Sequence, residues 1–273
     1  MLIDTHAHLF MLDRRGIDIH KTLAKLFSEG LLAGIIDVSL KAGDLQFRIK
    51  EFSCYDGVRF ADGLWPLAAS IADRERLVKE LESGILAVKQ HESAPKEYIC
   101  ALGEFGLDRR WNNEDDGADI AGERELMEMQ MDLAQRLNLP VIIHSRDAAE
   151  ETAEILARYP QVRGVIHCFS YNREAAKTFL DLGYFISFAG NISYRNAGTI
   201  QDACKFTPLD RLLLETDCPY LAPVPYRGKP AHPGMVEECY KLAAEIRGIN
   251  IKTMAEHIAE NIKELFGIDL FGN

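Results

Sequence analysis

Short apolar runs rich in valine, isoleucine and leucine recur along the chain, each followed by a stretch in which apolar residues return every three or four positions. The runs fall near residues 2–8, 31–39 (LLAGIIDVS), 58–64, 98–104 (YICALGE), 141–144 (VIIH), 164–168 (GVIHC), 184–188 (YFISF) and 211–216 (RLLLET). Such short runs read as buried strands, and the three-to-four spacing reads as amphipathic helix. The helical pattern is clearest in GERELMEMQMDLAQRLN, where Leu126, Met129, Leu133 and Leu137 share a face and read as core packing. Gly30 and the Asn138–Pro140 step stand where helices should stop, and two helical stretches, about 234–247 and 251–266, close the chain. Eight strands alternating with helices predict an α/β fold, a (β/α)8 TIM barrel spanning residues 1–273 as one domain. In that architecture the functional face lies at the C-terminal ends of the strands.

One strand breaks the apolar pattern. In DTHAHLF, residues 4–10, Asp4, His6 and His8 occupy alternate positions and so share one face of the strand. On a buried face they must be paired, hydrogen-bonded or bound to metal, because an unpartnered buried polar group costs roughly 2–7 kcal/mol. An edge strand with a wet face is the plain alternative. The strand-end rule adds further ligand-type residues: Glu104 ends the fourth strand, His144 the fifth, His167 nearly the sixth, and Asp217 follows the eighth. Taken singly, His144 could be a hydrogen-bonded core histidine, Glu104 a local cap or ion-pair partner, and Asp217 the start of a turn with Pro219. Together, four imidazoles and two carboxylates exceed the three protein ligands of a catalytic zinc. Two ions sharing a carboxylate fit the number better, and such a pair serves hydrolysis.

Composition narrows the setting. The 273 residues carry 31 basic and 42 acidic side chains, a net charge of −11. An acidic surface opposes stable coating of duplex nucleic acid, which depends on lysine and arginine neutralising phosphates. Any nucleic-acid chemistry should therefore be local, at strand ends or on short oligonucleotides. No apolar run approaches the roughly 18 residues of a membrane span, and Asp4 and His6 interrupt any signal-peptide pattern. The six scattered cysteines form no C-x-x-C pair and fit a reducing compartment. A monomeric cytoplasmic protein without a membrane partner is expected.

The motifs DTHAHL, ALGEFGLD, LPVIIHSRDA, VIHCFS, GYFISFAG, LLLETDCPYLAPVPYRGKP and AEHIAENIKELFG run in order from residue 4 to about 266. This set resembles the TatD family of metal-dependent DNases, within the amidohydrolase-like barrels. The resemblance implies that His6 and His8 hold one ion, His144 and His167 the other, and that Glu104 bridges them. Asp217 would ligate the first ion and orient, or take a proton from, the attacking water, making Asp217 and Glu104 the catalytic carboxylates. The implied cofactors are two divalent ions, zinc, manganese or magnesium. The implied activity is phosphodiester cleavage by metal-bound hydroxide, of the 3′–5′ exonuclease type on DNA.

Around these ligands Asp4 could fix a histidine tautomer, Arg146 could grip a phosphate or pair with Asp147, and Tyr226, Arg227 and Lys229 could meet an anionic substrate from a rim loop. His20, His91 and His257 fall away from strand ends and are expected to be incidental. The chain departs from the family pattern at Trp65, where G-x-H-P has histidine, at Tyr171 after HCFS, and at Ala231 and His232 where N-E-P is usual. All three departures are expected to touch the pocket lining. Trp65 could stack a base or merely fill space. Hydrolysis of a small amide, ester or lactone, and non-catalytic binding of metal or a phosphorylated ligand, are the alternative readings.

Overall fold

The computed structural model describes residues 1–90 and 98–269. Eight parallel strands are hydrogen-bonded in chain order: β1 (Leu2–Ala7), β2 (Leu32–Val38), β3 (Val58–Asp62), β4 (Ile99–Asp108), β5 (Val141–Arg146), β6 (Gly164–Ile166), β7 (Phe185–Phe188) and β8 (Leu212–Leu214). The helices among the described residues are α1 (Ile19–Ser28), α2 (Leu45–Phe52), α3 (Ala68–Ala72), α4 (Arg74–Lys89), α5 (Ile120–Leu137), α6 (Ala149–Leu156), α7 (Arg173–Asp181), α8 (Gly198–Phe206), α9 (Val236–Arg247) and α10 (Ile251–Phe266). The last strand meets the first. Asp217 N donates to His6 O at 3.0 Å, His8 N to Cys218 O at 2.9 Å, and Thr5 Oγ1 to Leu214 O at 3.0 Å. The fold is the expected TIM barrel.

Every residue of β1, β4 and β8 is buried, as it must be where helices cover one face of a strand and the barrel interior fills the other. Helix ends follow their local chemistry. Asp18, Asp119, Asn172 and Asn250 cap α1, α5, α7 and α10 by accepting a backbone N–H three residues on, and Asn138 ends α5 in the left-handed conformation.

Two strands run past their expected ends. β4 continues to Asp108 and β5 to Arg146, paired through Gly106↔His144, Leu107↔Ser145 and Asp108↔Arg146, so Glu104 and His144 lie inside strands and not at their ends. In ALGEFGLD, Gly106 is there for close approach. Its φ is +154°, and a Cβ on it would lie 1.8 Å from the His144 carbonyl oxygen. In the other direction β6 and β8 are shorter than expected, which leaves His167 and Asp217 on the loops just beyond them.

Beneath the mouth, α2 inserts a buried guanidinium between β2 and β3. Arg48 Nε reaches Asp44 Oδ1 at 2.8 Å, Nη1 reaches Asp37 Oδ2 at 3.0 Å and Asp37 O at 3.1 Å, and Nη2 reaches Asp62 Oδ1 at 2.8 Å and Ala61 O at 3.0 Å. These five contacts match the five N–H groups of the side chain. Asp37 Oδ1 also accepts from Leu9 N at 3.0 Å, which ties the network to the residue after His8.

Candidate metal centre

Six side chains from five separate strand regions converge on the C-terminal mouth. His6 Nε2 lies 3.4 Å from His8 Nε2, 3.1 Å from Glu104 Oε2 and 3.8 Å from Asp217 Oδ1. His8 Nε2 lies 3.4 Å from Asp217 Oδ1. On the other side of Glu104, its Oε2 is 2.7 Å from His167 Nε2, and His144 Nδ1 is 3.2 Å from that same nitrogen. His6, His8, Glu104 and His167 are buried.

The outward nitrogens decide how these rings are used. His8 Nδ1 faces Val38 O at 2.9 Å, His144 Nε2 faces Asp108 Oδ2 at 3.0 Å, and His167 Nδ1 faces Glu215 Oε1 at 3.3 Å. Each outer atom is an acceptor, so each ring donates outward and turns a lone pair inward, the arrangement that prepares imidazole for metal. Lone pairs and carboxylate oxygens packed this closely repel unless a cation lies among them. Glu104 Oε2 is buried without a hydrogen-bond partner, as is His6 Nδ1. Two overlapping groups, His6–Glu104–His167 and His6–His8–Asp217, have ligand atoms all within 4.8 Å of one another. Donor type, burial and the unsatisfied carboxylate oxygen all fit divalent metal.

Without metal, protons take the cation's place. Burial disfavours charge on His8, but the Asp217 hydrogen bond, the carboxylates of Glu104 and Asp217, and the Val38 carbonyl raise it to about 9. Burial likewise opposes charge on His167, yet Glu104 and Glu215 hold it well above the ordinary histidine value. His6 is lowered, by burial and by the charge on His167. Despite its burial, Glu104 is held well below the carboxylate range by His167 and His6. Metal binding at pH 7 should therefore expel protons from His8 and His167. Calorimetric titration in two buffers of different ionisation heat is expected to show proton release, with affinity rising as pH rises toward 9. Affinity independent of pH between 6 and 8 would contradict this assignment.

A cavity of about 560 Å3 opens above the cluster, lined by Trp65, Trp111, Arg146, Asn191 and Tyr220 among others. Arg146 is half exposed there, its Nη1 4.0 Å from Asp108 Oδ2; its acidic neighbour is Asp108 and not Asp147. Tyr226, Arg227 and Lys229 do not line this cavity. Tyr226 borders a separate depression with Lys21 and His232, and Arg227 lies 4.4 Å over the Tyr194 ring. Of the departures from the family pattern only Trp65 faces the cavity. Tyr171 supports it from behind, its hydroxyl 2.9 Å from Ser145 Oγ and accepting from Ala148 N, while Ala231 is buried and His232 faces the Tyr226 depression.

Asp4 does not orient an imidazole. It is buried and accepts from Thr216 N at 2.9 Å, Thr216 Oγ1 at 2.6 Å and His6 N at 3.3 Å, pinning β1 to the chain after β8. The carboxylates that do hold rings, Asp108 and Glu215, belong to the quoted motifs ALGEFGLD and LLLETDCPYLAP, but nothing local distinguishes them. Among the remaining histidines, His20 pairs with Glu51 at 2.8 Å on the surface, His257 lies on α10, and His91 is outside the described residues.

Comparison with known proteins gives the family of the chain. A family profile described as TatD related DNase matches residues 3–267. The uncharacterized metal-dependent hydrolase YcfH of Escherichia coli strain K12 is 35% identical over 278 residues, covering 98% of this chain and 96% of that protein. YabD of Bacillus subtilis strain 168, also described as an uncharacterized metal-dependent hydrolase, is 33% identical, covering 98% and 100%. The crystal structure of YJJV, a TatD homolog from Escherichia coli K12, superposes with a TM-score of 0.84 at 27% identity over 98% of both chains. No helix among the described residues is long and apolar enough to cross a membrane. A profile match over nearly the whole length, joined to a barrel whose mouth gathers imidazoles and carboxylates, places this chain in the TatD-related DNase family of metal-dependent hydrolases.

Proposed function

We propose that this hydrolase is a phosphodiesterase that trims nucleic acid from an end, of the 3′–5′ exonuclease type, with two divalent ions as cofactors. The observation that carries the reading is the inward presentation of four imidazole nitrogens around Glu104 and Asp217. His6, His8 and Asp217 would hold one ion and His144 and His167 the other, with Glu104 between them. When bound, such a pair acidifies water and stabilises charge on a phosphoryl oxygen.

The chain's own groups supply the rest. Asp217 Oδ1 remains ionised, because the His8 hydrogen bond and the imidazole charges outweigh its burial, and it is placed to take the proton of an attacking water. Arg146 offers a guanidinium at the cavity wall to a non-bridging phosphate oxygen. The cavity's volume lies within the range of small-ligand sites and suits one nucleotide better than a duplex. The net charge of −11 favours short contact with an end over extended binding.

The test supplies metal-loaded protein with single strands labelled at either end and with a circular single strand. Stepwise release of mononucleotides from the 3′ end, with the circle resistant, is the expected result. Cutting of the circle would overturn the end-directed reading. Turnover of small carboxylic esters or lactones with every strand left intact would overturn the phosphodiesterase reading.

A further inference from the structure

We infer that Trp65 and Trp111 form a preassembled stacking platform for a terminal nucleobase beside the metal cluster; this rests on the phosphodiesterase reading. The two indoles are 46 positions apart in sequence, yet their ring centroids lie 5.9 Å apart at an interplanar angle of 74°, and Trp65 also packs edge-on to His144 at 5.4 Å. Both line the cavity that holds Glu104 and Asp217. Trp111 is 64% exposed, and Leu67 and Tyr220 extend the same uncovered apolar lining.

Exposed indole is ordinarily placed to meet something. Here the loops that carry it are tied down. Trp111 N donates to Asp108 Oδ1 at 2.8 Å, the carboxylate whose other oxygen faces His144. Asn112 Nδ2 donates to Pro66 O at 2.8 Å, which joins the Trp111 loop to the Trp65 loop. Trp65 N donates to Leu40 O at 3.1 Å, and Gln130 brackets Leu64 by accepting from its N–H at 2.8 Å and donating to its carbonyl at 3.1 Å. The backbone beneath both indoles is therefore held in place before a ligand arrives.

A ligand that matches this cavity carries an anionic group for the polar floor and a flat apolar ring for the wall, as a nucleotide does. A base inside a strand has both faces covered by its stacked neighbours, whereas a terminal base has a face to offer. Stacking of this kind is tolerant of sequence because every base has a π-face.

The chain contains two tryptophans, both in this cavity, so its indole fluorescence reports on this place alone. Adenosine 5′-monophosphate is expected to quench the emission saturably, and ribose 5-phosphate, which lacks only the base, is expected not to. Trp111→Ala should weaken the quench and raise KM for a single-stranded oligonucleotide by about tenfold, while Trp111→Phe keeps most of the affinity. On a strand ending in an abasic residue the Trp111→Ala variant should lose its disadvantage. Strand cleavage without any quench, and with KM unchanged in Trp111→Ala, would overturn the stacking platform and leave the phosphodiesterase reading standing. Quenching by the nucleotide without cleavage of any strand would support the stacking platform and overturn the reading of activity.

Discussion

Replacing Glu104 with alanine is expected to lower hydrolysis by about a thousandfold or more while leaving the barrel folded. Removing an outer partner of a metal ligand typically costs 10–100-fold. Glu104 stands closer than that, with Oε2 within 3.1 Å of His6 Nε2 and 2.7 Å of His167 Nε2, between the two groups of ligand atoms. Its loss leaves the histidine lone pairs without their central negative charge, so metal content should fall together with rate. Glu104→Gln separates charge from shape: it keeps the volume and one acceptor but lacks the carboxylate, and it should fall nearly as far. Elemental analysis of protein purified without chelator, run beside steady-state rates and circular dichroism, checks the expectation. Turnover within tenfold of wild type at full metal content would remove Glu104 from the centre.

The largest loss of stability is expected from Arg48→Met. Arg48 is buried with its guanidinium donors directed at Asp37, Asp44, Asp62 and two backbone carbonyls. Removing one member of a buried ionic network costs about 3–5 kcal/mol, because the remaining charges are stranded in a medium that solvates them poorly. Burial already pushes Asp62 up to about 7 against the pull of Arg48. Without that pull Asp37 and Asp62 would have to take up protons or admit water. For a chain of this size the loss corresponds to a melting temperature lower by about 5–9 °C, read by calorimetry. Arg48→Lys should recover little, since an ammonium cannot reproduce the planar fork that reaches three carboxylates. A drop of less than about 3 °C for Arg48→Met would show that the network is not structural. Because Asp37 also holds Leu9 N, weaker metal binding through a displaced His8 should accompany the loss.

Much of the architecture is legible in the chain itself. Val- and Ile-rich runs, three-to-four periodicity and helix-ending Asn138 reflect forces that act within a few residues, so the barrel and most of its elements can be read in order. The six candidate ligands can be picked out as well, because a rule about strand ends turns linear position into spatial position. That reading ended β4 and β5 too early, because Gly106 lets the two strands go on pairing past Glu104 and His144.

Other features belong to tertiary structure alone. Which nitrogen each histidine presents depends on Val38 O, Asp108 and Glu215, up to 48 positions away. Asp4 turns to Thr216 across 212 positions, and Tyr226, Arg227 and Lys229, read from the sequence as able to meet an anionic substrate, are not among the residues lining the cavity. The pairing of Trp65 with Trp111 likewise exists only once the loops after β3 and β4 are packed together. Propensity and periodicity act along the chain, whereas hydrogen bonds between side chains act through space, and closing the barrel is what turns distance in sequence into contact.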